Sequence, residues 1–474
     1  MRIDRQIAVS AGWIAGPAFG VALMGASGYF QLSHATSGAL FYGGLAVFFG
    51  TLLLVLILST TEKDARRKKT VGPFILMGLG LAVLGGGIAW YFWPSAARVP
   101  DSTAVAQLAE LGWGVQPGKE TIRFELSSRP LPPMQKSADL FRALGTNFSV
   151  QLQSLPNLDG LHYLSDIDGL DTLGISAGKF TDISEIKDFR HLRELSISQT
   201  PIDGRSAVDS SPLADLVNLH KLNLYATKIV TLQPLRKLTK LRELHLRDTW
   251  VSDLSPLSYL TELQSLDITD VRGGDLSPLS HCSELVELGL GVDQIPGLMR
   301  LTPLKKLMKL RIISHGNVDL GPVGALPNLE NLWVWAGVSR FDVAPLRNLT
   351  KLRELTLSVL GMGRLAPVDN IAVLGELKEL RSVTLSELQI TDLAFIENLH
   401  LLQEINLSAM PISSLEPLRG LKNLKKISIN ALQIVDISPL MDLPELTELQ
   451  IMRTPARADI LAALERRGVK VQSN

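Results

Sequence analysis

The chain has 474 residues, with 47 Lys and Arg balanced by 47 Asp and Glu, and a single cysteine. The length leaves room for several domains, while zero net charge excludes the electrostatic footprint of a nucleic-acid binder. One thiol, Cys282, excludes an intramolecular disulfide and reads as a small buried apolar residue.

No Asp, Glu, Lys or Arg occurs from Gln6 to Thr61, and after the cluster EKDARRKK a second uncharged run extends from Thr70 to Ala97. Both runs exceed a signal peptide in length. The polar break QLSHATSG divides the first, so the sequence predicts three transmembrane helices, near 7–30, 38–60 and 71–93, within a membrane region spanning 1–97. Arg2 and Arg5 precede the first helix, and Lys63, Arg66, Arg67, Lys68 and Lys69 crowd the second loop. Basic loops stay cytoplasmic, which predicts a cytoplasmic amino terminus, an integral protein of a bacterial inner membrane, and a periplasmic or extracellular carboxy-terminal region. Gly12, Gly16 and Gly20, and likewise Gly78, Ala82 and Gly86, share helix faces at a spacing that lets backbones approach. Oligomerisation through these helices is one reading and packing within one chain is the other.

Residues 98–169 contain SSRPLPPMQ and are expected to form a juxtamembrane stalk with an N-terminal cap or irregular repeats. Within them VAQLAELGWGVQ, 105–116, has the order helix, Gly, strand.

From Leu170 to Ile451 the pattern Leu-x-x-Leu-x-Leu recurs thirteen times, usually every 22 residues, with Ile and Val substituting at the inner positions. A period of this length signals a leucine-rich-repeat solenoid, here over 170–455. The anchors take inward positions on a short strand and stacking closes the core, so thirteen strands predict a parallel sheet roughly 60 Å long. Two steps are longer. Leu192 to Leu219 takes 27 residues, with the excess before Pro212, and Leu352 to Leu380 takes 28, with Pro367 expected in register and the excess after it. Residues 456–474 are expected to cap the open end, with Ile460, Leu461 and Leu464 on one helix face, a Gly stop and a last strand.

Full repeats such as LTKLRELHLRDTWVSDLSPLSYL, 238–260, and LKNLKKISINALQIVDISPLMDL, 421–443, resemble those of internalin-type bacterial leucine-rich-repeat proteins. In Ser255-Pro256, Ser277-Pro278 and Ser438-Pro439 a Ser expected to cap precedes a Pro, the order that opens a helical turn. The fold expected is therefore an α/β solenoid, a curved parallel sheet with short 3₁₀ turns on its convex side. The family's Asn after each strand is replaced by Thr200, Thr227, Thr249 and Thr454, and elsewhere by Val271, Leu360, Leu388, Met410 and Leu432, so part of the backbone there needs another partner.

No metalloprotease, nucleophile-elbow or phosphate-loop motif occurs, nor a Cys or His spacing suited to zinc. The expectation is a non-enzymatic protein with no cofactor. What remains is the concave face. Trp333 and Trp335 fall two apart on one strand, with Arg311 and Ile313 on the strand before, and Gly289 and Gly291 beyond are expected to leave a recess. Exposed Trp beside Arg is the composition of a binding hot spot, while a shift of one residue would turn both rings into the core. A second, polar group comprises Tyr225, His245 and Arg247, with Asp248, Asp267 and Asp270. Glu194, Glu243, Glu287, Glu354, Glu404 and Glu448 form a column read as solvated charge. Together these predict a membrane-anchored module that binds a protein or peptide ligand on its sheet; the alternative is a receptor or transport-associated subunit whose helices do the work.

Overall fold

The computed structural model describes residues 102–117, 121–127, 131–178, 180, 182–198, 207–337, 340–360 and 363–473. The three expected membrane helices and Thr200 fall outside the described residues, among which no helix is long and apolar enough to cross a membrane. The chain divides into two compact units, residues 1–103 with 144–146 and residues 104–143 with 147–474. The second carries the repeats.

A helix α1 (Ser102–Glu110) leads into the hairpin β1 (Gly114–Pro117) and β2 (Ile122–Ser127), then α2 (Met134–Ala143) and β3 (Phe148–Gln153). The strands that follow are β4 (Leu170–Ser176), β5 (Glu194–Ser198), β6 (Lys221–Asn223), β7 (Glu243–His245), β8 (Ser265–Asp267), β9 (Glu287–Leu290), β10 (Lys309–Ser314) and β11 (Asn331–Ala336). After β12 (Phe341–Asp342) come β13 (Glu354–Val359), β14 (Ala366–Asp369), β15 (Ser382–Ser386), β16 (Leu388–Gln389), β17 (Glu404–Ser408), β18 (Lys426–Asn430) and β19 (Glu448–Met452), then α3 (Ala458–Arg466) and β20 (Lys470–Ser473). Among the described residues, seventeen strands form one sheet, and β12, β14 and β16 form a small one beside it. Apart from the antiparallel β1–β2 pair, neighbours run parallel.

The strands owe their register to alternation. Leu222, Leu244, Leu266, Leu288, Leu310 and Leu332 lie opposite one another, all at most 1% exposed. A slip of one residue would turn each outward.

The other wall is built by a second period. Leu254, Leu257, Leu260 and Leu263 recur every third residue, and the N–H of each of the last three donates to the carbonyl three back, at 3.0, 2.9 and 3.1 Å. A 3₁₀ helix has three residues per turn, so this spacing stacks all four side chains on one side, and all four are buried. Cys282 occupies the third place of the same series, between Leu279 and Leu285, and is fully buried. Burial pushes its thiol up to about 12, which keeps it protonated and inert.

The turn entries differ from the expected Ser caps. Ser255 is the first residue of its turn, and it donates twice to the carboxylate two residues upstream: its N–H to Asp253 Oδ1 (2.9 Å) and its hydroxyl to Asp253 Oδ2 (3.0 Å). Asp275 holds Ser277 and Asp436 holds Ser438 the same way. These Ser donors, the N–H foremost, hold all three carboxyls below the ordinary Asp value.

One residue before the positions where Asn was expected, the backbone turns off the sheet. Ala177, Ala226, Asp248, Glu387, Ala409 and Ala431 all adopt positive φ just past their strands. The N–H of each still continues the ladder to a carbonyl of the next repeat before the chain turns away: Ala226 to Arg247, Asp248 to Thr269, Ala409 to Asn430 and Ala431 to Met452, between 2.9 and 3.1 Å. The Thr227 and Thr249 hydroxyls each add a bond of 2.7 Å to the carbonyl three back.

Residues upstream of Leu170 continue the sheet. Phe141 stacks on Phe148 (4.8 Å) and meets Phe124 and Trp113 edge-on at 5.0 and 5.1 Å, while Trp113 Nε1 donates to Ser137 Oγ. At the other end α3 buries Ile460 and Leu464, Leu461 stays half-buried, and β20 pairs with β19. Pro367 does not open a turn: it lies in β14 opposite Gln389, and the 3₁₀ turn begins at Ile371. The extra residues of that repeat therefore precede the turn.

Because the three Asp carboxyls are depressed in the fold, their stabilising effect is complete above the unfolded Asp value, near 3.9, and is lost as pH falls through the lower folded value. The triple substitution Asp253→Asn, Asp275→Asn and Asp436→Asn should therefore flatten the loss of stability below about pH 4, measured by urea unfolding at several pH values. At the strand ends, Ala409→Val should cost about 1–3 kcal/mol, because a β-branched residue resists positive φ, whereas Ala409→Gly should cost nothing; equal losses would show that side-chain packing, not backbone geometry, governs the site.

Candidate binding face of the sheet

The strand register sorts the outward side chains into rows. The first row runs Glu194, Lys221, Glu243, Ser265, Glu287, Lys309, Asn331 and Glu354. Its Glu column is largely interleaved with Lys, and exposed pairs form between Lys221 and Glu243 (2.8 Å) and between Glu404 and Lys426 (3.1 Å). Such exposed pairs contribute little.

The second row holds Asn223, His245, Asp267, Gly289, Arg311, Trp333 and Thr356 in succession. Trp335 lies in the third row, opposite Ile313. Leu332, Val334 and Ala336 are fully buried and both indoles are half-buried on the outer face, so the rings do not enter the core. The structure therefore brings Arg311, Ile313, Trp333 and Trp335 together on β10 and β11.

The expected recess beside the indoles is filled. Arg311 reaches back across β9 and donates from Nη2 to Asp267 Oδ2 at 2.8 Å, while the Thr269 N–H donates to Asp267 Oδ1 at 3.0 Å. The Asp267 side chain is only 10% exposed and that of Arg311 30%. Gly289 lies between them, and a Cβ there would fall 2.8 Å from Asp267 Oδ1 and 2.9 Å from Arg311 Nη2. Its missing side chain is thus the passage for a guanidinium, a role that the spacing of single residues does not reveal because the partners are 44 positions apart. Gly291 is closed as well, its N–H donating to Gln294 Oε1 at 2.8 Å.

The second predicted group sits at β6 and β7. The Arg247 guanidinium lies 5.9 Å from the Tyr225 ring centroid and 3.6 Å from Asp270 Oδ2. His245 is half-buried in the row next to Asp267. Asp267 and Gly289 span the interval to the indoles, so the two groups are neighbours on one face. Among the described residues no cluster of His, Cys, Asp and Glu could hold a metal ion.

No protein-family model and no curated protein matches the chain. Among solved structures, it is similar to an internalin of Listeria monocytogenes, with 21% identity over 79% of this chain and 95% of that one and a TM-score of 0.47. A leucine-rich-repeat protein of Leptospira interrogans is 16% identical over 73% and 100% of the two chains, with a TM-score of 0.44. Internalin C2 of Listeria monocytogenes is 24% identical over 48% and 88%, with a TM-score of 0.32. At these values none of the likenesses adds to the leucine-rich-repeat architecture that the strands and turns themselves define.

The ion pair supplies a test of the passage at Gly289. Gly289→Ala should destabilise by about 1–3 kcal/mol by displacing a partly buried charge, and the penalty should shrink when Asp267→Ala is already present, as read from a double-mutant cycle in urea. An unchanged penalty in that background would place the clash elsewhere.

Proposed function

We propose that the chain is a membrane-anchored, non-enzymatic module whose sheet face binds a protein or peptide outside the cytoplasm. The observation that carries this reading is the cluster of Trp333, Trp335, Ile313 and Arg311, outward-facing on adjacent strands. Aromatic rings bury large area at low entropic cost, and a guanidinium held beside them adds directed hydrogen bonds. Asp267 holds that guanidinium before any partner arrives, which lowers the cost of binding. Tyr225, His245 and Arg247 extend the contact surface along the face. The placement outside the cytoplasm rests on the basic residues of the amino-terminal region, and the uncharged runs within 1–97 are the anchor.

On intact spheroplasts, an impermeant amine crosslinker should join the chain to its partner, and Trp333→Ala with Trp335→Ala should abolish that product while leaving the thermal transition nearly unchanged. A product that forms only after lysis would place the repeats in the cytoplasm; one that survives the double substitution would remove the indoles from the interface.

A further inference from the structure

Past the indoles the outer face changes character. From β13 to β20 the second row reads Thr356, Thr384, Asn406, Ser428, Gln450 and Gln472, and Ser358, Ser386, Ser408 and Asn430 follow in the third. Neither set contains a charge. Between the first and second rows lies a hollow of about 270 Å³, whose lining includes Thr384, Asn406, Ser428 and Gln450 and the charged Glu404, Lys426 and Glu448. These charges are paired across strands, Glu404 with Lys426 at 3.1 Å and Glu448 with Lys470 at 3.8 Å.

Three properties of this band select a ligand class. An ion would find no counter-charge there that is not already paired. A peptide laid on a sheet face cannot pair with the strands as it would at an edge and must be held by side-chain anchors, and this band has none of the aromatic anchors present at Trp333 and Trp335. What the band does offer is hydroxyl and amide groups, which both donate and accept. The Ser428 hydroxyl donates to Gln450 Oε1 at 3.2 Å and Asn430 Nδ2 to Ser408 Oγ at 3.3 Å, which leaves each with further capacity, and the exposed Asn406 amide makes no side-chain bond among the described residues. The groups repeat at the strand spacing, about 4.8 Å, close to the length of one ring in an extended sugar chain.

We propose that this band is a binding site for a neutral, extended β-linked oligosaccharide lying across strands β15–β19. Its hydroxyls exchange hydrogen bonds with Asn406, Ser428 and Gln450, and the hollow, a little smaller than the roughly 300 Å³ at which small-molecule sites begin, seats a single ring while the rest of the chain lies along the face. The site is separate from the indole cluster and needs neither Trp.

The test is calorimetric titration of the full chain in lipid nanodiscs with neutral β-1,4-linked hexamers of N-acetylglucosamine and of glucose, with a galacturonic acid hexamer as the charged control. At least one neutral hexamer should bind saturably and the acidic one should not. Asn406→Ala with Gln450→Ala should weaken binding about tenfold or more with the thermal transition unchanged, while Trp333→Ala with Trp335→Ala should leave it intact. Absence of binding by either neutral hexamer, binding indifferent to the Asn406 and Gln450 substitutions, or an equal response to the acidic hexamer or to an uncharged Ser-Gly peptide would overturn the assignment. Loss of binding in the Trp variant alone would move the sugar to the indole cluster.

Discussion

Register between successive repeats is the constraint on which everything else in this chain depends. One repeat cannot bury its own apolar side, so stability resides in the contact between neighbours. That contact requires two incompatible periods to meet in each coil, period two along the strand and period three along the 3₁₀ turn. The chain reconciles them at the residue just past the strand, where positive φ at Ala226, Ala409 or Ala431 swings the backbone off the sheet. The N–H of the same residue is the last rung of the ladder, bonded to the next repeat's carbonyl. A conformation that is unfavourable for any L residue taken alone is thus pinned on its upstream side by a hydrogen bond to a neighbour, and the bond exists only when the register is correct.

The positions where internalin-type repeats were expected to carry Asn are filled in more than one way: Leu432 and Met410 are buried at 0 and 3%, whereas Leu360 is 38% exposed. Thr227 and Thr249 keep a polar atom at the same place and turn it inward to a carbonyl three residues back.

The parts of the fold that were legible in the sequence are those governed by short periods. The 22-residue period gave the strands and the Ser-Pro segments gave the 3₁₀ turns, while alternation within Asn331–Ala336 left both indoles either outside or in the core until the strand register put them outside. The misreadings came where one residue type serves two geometries. Ser before Pro is a cap signature, yet the side chain that accepts is Asp253, because a carboxylate two residues upstream can take both Ser donors at once. Pro367 matches its counterparts in count from the preceding strand, but the inserted residues push the turn on to Ile371 and leave the ring in β14, where it pairs opposite Gln389. The recess at Gly289 was out of reach for a different reason: its occupant comes from the next repeat and its partner from the one before.

That last case bears on how the face works as a surface. In a solenoid, interactions are expected between nearest neighbours, but the Arg311–Asp267 pair skips a repeat and ties three strands together through a glycine. It sits where the outer face changes from the polar group at β6 and β7 to the indoles at β11. A side chain as long as Arg would otherwise sample many rotamers in water, and ordering it on binding carries an entropic cost. Anchoring Nη2 on a carboxylate that is itself held by the Thr269 N–H removes much of that freedom in advance. The Arg311 Nε is buried without a partner among the described residues, so the pair is not a full saturation of the guanidinium. A charge fixed in position, incompletely bonded and set beside two outward rings is an arrangement in which stability has been given up locally and the orientation of the Arg311 guanidinium is fixed in return.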